Sequence, residues 1–335
     1  MKAIVYDTPG LPIEDSQSLF EHELPKPTPG ARDLLVEVKA IAVNPVDTKV
    51  RASRGGDRPQ VLGWDAVGIV REVGAEVSLF QPDDEVFYAG AIDRPGTYSE
   101  FHLVDERIVG HKPRTLDNAS AAALPLTSIT AWELLFDRLG VEENGGAGQS
   151  LLIIGASGGV GSILLQLARK LTQLQVIGSA SRPETQAWVT ELGAHHVIDH
   201  SAAIAPQLQQ LGLHPVDYVI SLTHTESYLA QIVEVLRPQG KLALIDDPAQ
   251  LDVVPFKRKS LSVHWELMFT RSLYQTEDMI KQHQLLEKIS SLIDDGVIRT
   301  TVGEHFGSIS ASNLKRAHAL IESGKAKGKI VLEGF

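Results

Sequence analysis

Ser150-Leu151-Leu152-Ile153-Ile154-Gly155-Ala156-Ser157-Gly158-Gly159-Val160-Gly161-Ser162-Ile163-Leu164-Leu165 decides the fold. A five-residue apolar run enters a turn of small residues, and a second apolar run leaves it at helical length. That order predicts strand, tight turn and helix. Leu151 to Ala168 is uncharged for 18 residues, close to the roughly 20 apolar residues that a membrane span needs. The glycines at its centre argue instead for a buried strand and a buried helix, and no membrane partner is expected.

In a strand–turn–helix setting these small residues match a dinucleotide-binding loop. The first permits the turn, the second lets the backbone approach a pyrophosphate, and the third lets the helix pack on the strand. Ala156, Gly158 and Gly161 fill those places, and Ser157, Gly159 and Val160 complete the loop. A pyrophosphate would sit over the helix N-terminus, where N–H groups lack partners and the dipole favours negative charge. The alternative is a turn that serves packing alone.

An NAD site expects an acid about 20 positions further on, at the end of the second strand, to hold the ribose hydroxyls. That strand ends Val176-Ile177-Gly178-Ser179-Ala180-Ser181-Arg182, without a carboxylate. Small residues with Arg182 beyond them accommodate a 2′-phosphate, so Ser181 and Arg182 point to NADPH. The competing reading leaves Arg182 as a solvated surface charge. Ser221, Leu222 and Thr223 close a later strand, and His200 lies near the end of another, where open α/β sheets contact cofactors.

Outward from the loop, strand-like segments at 175–178, 197–199, 216–221 and 241–245 alternate with helical ones at 163–171, 184–192 and 226–236. This alternation predicts an α/β fold with a parallel sheet. The first third differs: residues 34–43 alternate apolar and polar, and short apolar runs recur near 66–70, 85–88 and 98–104, as in a barrel-like β domain. The texture changes near Ala119. No internal repeat appears.

The 335 residues carry 42 Asp and Glu against 31 Lys and Arg, a net charge of -11 that repels a phosphate backbone. No nucleic acid is expected. Cysteine is absent, which excludes disulfides, thiolate nucleophiles and Cys-ligated zinc. The apolar run before Asp7 is too short for a signal-peptide core, which favours a cytoplasmic protein.

Asn44-Pro45-Val46-Asp47, Gly63-Trp64-Asp65-Ala66-Val67-Gly68, Leu124-Pro125-Leu126-Thr127-Ser128-Ile129-Thr130-Ala131-Trp132, the glycine loop and the closing Gly328-Lys329-Ile330-Val331-Leu332 together resemble medium-chain dehydrogenases/reductases. Within them the chain is similar to the zinc-independent quinone oxidoreductase branch. The resemblance implies a GroES-like β-barrel domain over 1–122, a Rossmann doubly wound parallel sheet binding NADP over 123–265, and a C-terminal return completing the catalytic domain over 266–335. It also implies a homodimer, and Thr127 and Thr130 near the nicotinamide ribose and phosphates.

Zinc-dependent relatives hold their metal with Cys and His ligands. The matching positions here are Asn44, Trp64 with Asp65, and Leu126, which fall short of three good ligands. No metal is expected. His195, His196 and His200 are the other metal candidates, with His196 and His200 read as sharing one strand face. Without a metal, hydride delivery to a quinone or to the β-carbon of an enone needs the least assistance. Asn44 is the candidate donor to the developing oxyanion. Lys49 stands where relatives carry a Tyr; it either donates a proton or faces solvent. Asp65 is either a reacting group or structural.

The segment 256–269, mixing three basic residues with aromatics and Met, lines a substrate pocket or a subunit interface. The small-molecule acceptor depends on loops around 51–59 and 257–271. The expected function is NADPH-dependent, zinc-independent reduction of quinones or α,β-unsaturated carbonyls. The alternatives are an NADPH-binding protein with a structural or sensing role, and a lyase or other carbonyl enzyme on the same scaffold.

Overall fold

The computed structural model describes residues 1–335 apart from Asp57, so the expectation for 51–59 lies outside the described residues at that position, and 51–53 belong to the helix Pro45–Ser53. The chain forms two compact units, Met1–Ile129 with Phe269–Phe335, and Thr130–Met268. The chain leaves the first unit inside the helix Pro125–Trp132. The sequence texture changes near Ala119 and the resemblance implies a boundary at 122/123, but a continuous helix carries no composition break at the crossing.

The unit Thr130–Met268 holds six parallel strands in the order His196–Ile198, Gln175–Ser179, Ser150–Ile154, Val216–Ser221, Leu236–Leu244, Ser262–Trp265. Numbered within the unit, that is 3-2-1-4-5-6, the dinucleotide-binding order with its switch point beside the first strand. Leu151, Leu152, Ile153 and Ile154 are all buried, as a central strand covered on both faces requires. The fifth strand starts at Leu236, earlier than the apolar pattern suggests, because Val216 pairs with Leu236 before a register shift. The third strand ends at Ile198, so His200 lies in the following turn and does not share a strand face with His196.

The other unit is mostly antiparallel. Asp33–Val43 is its spine, pairing with Ala66–Val73, Phe101–Asp105 and the closing strand Lys329–Glu333. Its 11 residues are long enough to serve all three partners. Lys2–Tyr6 forms a separate three-stranded sheet with Phe20–Glu23 and Gln60–Val61. Gly63 has φ +97, and a Cβ there would lie 2.3 Å from the Tyr98 ring. This turn delivers Trp64 and Asp65 to the interior.

One helical stretch, 118–138, is long and apolar enough to cross a membrane, and 83% of its most apolar window is buried inside the protein. It forms part of the core, as such a stretch in a globular fold does.

Candidate functional site

In the Thr130–Met268 unit, the strand Ser150–Ile154 ends in a turn closed by Gly158 N–H donating to Gly155 O at 3.3 Å. The helix Gly159–Leu171 starts at once, with Gly158 as its N-cap and no side-chain cap. The first-turn N–H groups therefore have no partner within the helix. A Cβ on Gly161 would lie 2.5 Å from Ala156 O, so the helix sits directly against the loop backbone. Ser157, Gly158, Gly159 and Val160 remain partly exposed, while Ala156 and Gly161 are buried.

Hydrogen bonds join the ends of the first three strands. Gly155 N–H donates to Ser179 Oγ at 3.2 Å, and Ser179 Oγ lies 3.2 Å from His200 Nδ1. Burial, aided by nearby His224, lowers the His200 pKa and favours its neutral form. Its ring meets Tyr228 edge-on at 6.3 Å. Ser181 is exposed, and Arg182 is partly exposed with Nε 3.1 Å from Glu184 Oε1. Leu222 N–H donates to Ile154 O at 3.1 Å, and Thr223 packs where a Cβ on Gly155 would stand. Ser221 is turned inward, its Oγ 2.8 Å from the Thr225 hydroxyl. Thr130 is buried in this unit. His195 accepts from Val176 N–H and His196 meets Gln175, so these two are partnered separately.

The other unit contains a buried polar cluster. Asn44 caps the helix Pro45–Ser53, and its Nδ2 donates to Asp65 Oδ2 at 2.8 Å and, weakly, to Ala42 O at 3.4 Å. Leu126 N–H donates to Asp65 Oδ1 at 2.8 Å. The third member is Lys329, whose Nζ donates to Asp65 Oδ2 at 2.8 Å, to Val43 O at 3.3 Å and to Asn44 Oδ1. Asn44, Asp65 and Lys329 are each at most 2% exposed. Burial pushes the Asp65 carboxyl above the ordinary range, while Lys329, Asn44 and the Leu126 N–H oppose the shift. Every neighbour of its oxygens is a donor, so the geometry suits the ionised form.

A second buried chain starts from the same helix. Asp47 Oδ2 accepts from Asn44 N–H at 2.7 Å and from the Tyr98 hydroxyl at 2.9 Å, and His318 Nε2 lies 3.2 Å from that hydroxyl. Burial raises Asp47 to about 7 and lowers His318 to about 3, the latter with help from Arg51. Lys49 is exposed on this helix. Thr127 is buried, its hydroxyl bonded back to Leu124 O at 3.2 Å.

Sequence reasoning did not single out Lys329, Tyr98 or His318 as site residues. The available signal for Lys329 was a lysine opening a continuous apolar strand, Ile330-Val331-Leu332, where a charge needs a buried partner.

Family models match at residues 30–114, described as an alcohol dehydrogenase GroES-like domain, and at 192–332, described as a zinc-binding dehydrogenase. A zinc-type alcohol dehydrogenase-like protein of Staphylococcus aureus (strain MSSA476) is 38% identical over 335 residues, with 99% of each chain covered. The chain belongs to the medium-chain dehydrogenase/reductase superfamily. Among solved structures of such proteins, one from Rhizobium etli CFN 42, provisionally described as a zinc-dependent alcohol dehydrogenase, shares 57% identity at a TM-score of 0.97, covering 100% of this chain and 98% of that one. A quinone oxidoreductase from Coxiella burnetii shares 26% identity at a TM-score of 0.82, covering 100% and 99%.

Two groups associated with this superfamily can be tested against the residues present. The Gly158–Gly161 turn and the Ala156–Gly161 contact fit a dinucleotide pyrophosphate, since the helix start presents unpaired N–H groups and no side chain to block them. Zinc does not fit at Asn44 and Asp65. Trp64 spends its N–H on Ala91 O at 3.1 Å and has no lone pair to offer, the Leu126 side chain is apolar, and the Lys329 ammonium already lies against the one carboxylate. No group of three or more His, Cys, Asp or Glu among the described residues could hold a metal ion.

Proposed function

We propose that this medium-chain dehydrogenase/reductase is a cytoplasmic, NADPH-dependent, zinc-independent reductase of quinones or α,β-unsaturated carbonyl compounds. One observation carries the reading: the cation held by Asn44 and Asp65 is an ammonium whose donors are all engaged. Such a cation cannot accept a lone pair from a substrate oxygen, so it cannot polarise an alcohol or carbonyl as a metal would. Conjugate reduction needs less of that assistance.

NADPH, when bound, supplies the hydride. The Gly158–Gly161 backbone would hold its pyrophosphate, with Leu222 and Thr223 bordering the loop. Ser181 and Arg182 would take the 2′-phosphate, which must compete with Glu184 for the guanidinium. His200, held by Ser179, would flank the adenosine. Thr127 and Thr130 would face the nicotinamide ribose and phosphates. Asn44 would donate to the oxyanion through the amide hydrogen now spent on the 3.4 Å contact with Ala42 O. Asp65 would hold that amide, and exposed Lys49 is the alternative proton donor.

We also infer a homodimer. Ser262–Trp265 is an edge strand of the six-stranded sheet, and Trp265 and Leu267 are 52% and 50% exposed beside it, whereas Phe256, Met268 and Phe269 of the same segment are buried.

The test is NADPH oxidation with a panel of quinones and enones in the presence of chelator, with NADH as control. Chelator-resistant turnover preferring NADPH is expected. Cofactor binding without turnover on any acceptor would overturn the reductase reading in favour of a structural or sensing role, and a cleaved product identified by mass would favour a lyase.

A further inference from the structure

We propose that Lys329 is the resident cation of the Asn44–Asp65 site, a built-in ammonium that excludes a divalent metal from it. The ammonium has three N–H groups, and three acceptors face it: Asp65 Oδ2, Asn44 Oδ1 and Val43 O. Its coordination is complete with no water or ligand added.

Charge favours the same arrangement. One ammonium neutralises one carboxylate, whereas a divalent ion on Asp65 alone would leave a net positive charge in a site that is at most 2% exposed. The other nearby carboxylate, Asp47, turns its Oδ2 to Asn44 N–H and the Tyr98 hydroxyl. A metal would also have to expel the ammonium, and Lys329 opens a strand whose next residue, Ile330, pairs with Val43, so the backbone fixes where the side chain begins. The second Asp65 oxygen is fixed by Leu126 N–H. The carboxylate is therefore held on both oxygens by donors, where a metal site would present free lone pairs.

The inference shares the metal-free reading of the proposed function, but its tests use no turnover. A failure to reduce any acceptor would leave it standing, whereas stoichiometric metal at Asp65 would sink it together with the zinc-independent part of that reading. First, purified protein is incubated with excess cobalt(II) or zinc, desalted, and its metal content and visible absorption measured. No metal is expected that depends on Asp65. One equivalent retained by the wild type and lost in Asp65→Asn overturns the proposal.

Second, melting temperatures are compared for Lys329→Met, Asp65→Asn and the double variant. Each single change strands one buried polar partner, and the double change strands neither charge. The double variant should therefore melt within a few degrees of the less damaged single variant, and Lys329→Arg should recover more than Lys329→Met. Losses that simply add overturn the proposal. If Lys329→Met is insoluble, its rescue by Asp65→Asn supports the proposal, and failure of the pair while Asp65→Asn alone folds overturns it.

Discussion

The contact at Gly161 leaves no space for one carbon atom. A Cβ there would meet Ala156 O at 2.5 Å, so Gly161→Ala must push the helix off the loop. We expect a loss of about 1–3 kcal/mol in stability and NADPH binding at least about tenfold weaker, read by melting and by fluorescence titration. At Arg182 the expected effect is selective. Arg182→Ala should raise the KM for NADPH about tenfold, the worth of one charge-assisted hydrogen bond, with little change for NADH. Glu184→Gln should do the reverse by freeing the guanidinium, and equal effects on both cofactors would refute the assignment. The glycine turn was legible in the sequence because it is a local fact, and the Arg182 proposal starts from another local fact, a missing acid. The Lys329–Asp65 pair was not legible, because 264 residues separate its members and nothing local specifies that they meet.

At the scale of elements, the helices Pro45–Ser53 and Ala311–Glu322 carry two buried groups that titrate in opposite senses. Asp47 is raised to about 7 from 3.8, so its contribution is present at low pH and is lost as pH rises towards 7. His318 is lowered to about 3 from 6.5, so its contribution is present above 6.5 and is lost as pH falls. Between about pH 4 and 6.5 the two slopes, each at most about 1.4 kcal/mol per pH unit, offset one another. Asp47→Asn should unmask the histidine, giving a stability that rises with pH across this window more steeply than the wild type. Denaturant melts at pH 4.5, 5.5 and 6.5 check this; parallel curves for the two proteins would refute it. Sequence reading singled out neither of these helices, nor that the second brings His318 to Tyr98. That contact depends on packing between segments 220 residues apart.

For the molecule as a whole, the parallel sheet of the Thr130–Met268 unit was legible in the alternation of strands and helices, which leaves few right-handed windings, whereas its doubly wound arrangement was legible only through resemblance. The return of residues 269–335 to the first unit was legible only through resemblance, as the closing strand does not state its partner. The sheet's outer strand, Ser262–Trp265, presents Trp265 at its end, and large exposed aromatics anchor interfaces. Trp265→Lys should convert a dimer into a monomer by light scattering without changing the far-UV circular dichroism. An unchanged mass would remove this edge as the interface.

The distance along the chain between Asp65 and Lys329 also has a meaning in time. During synthesis at about 5–20 residues per second, the 264 residues between them take roughly 13–50 s to make. Throughout that interval the Asp65 carboxylate has no ammonium to meet, and burying it alone would be costly. The buried pair can close only once the late strand Lys329–Glu333 has been made.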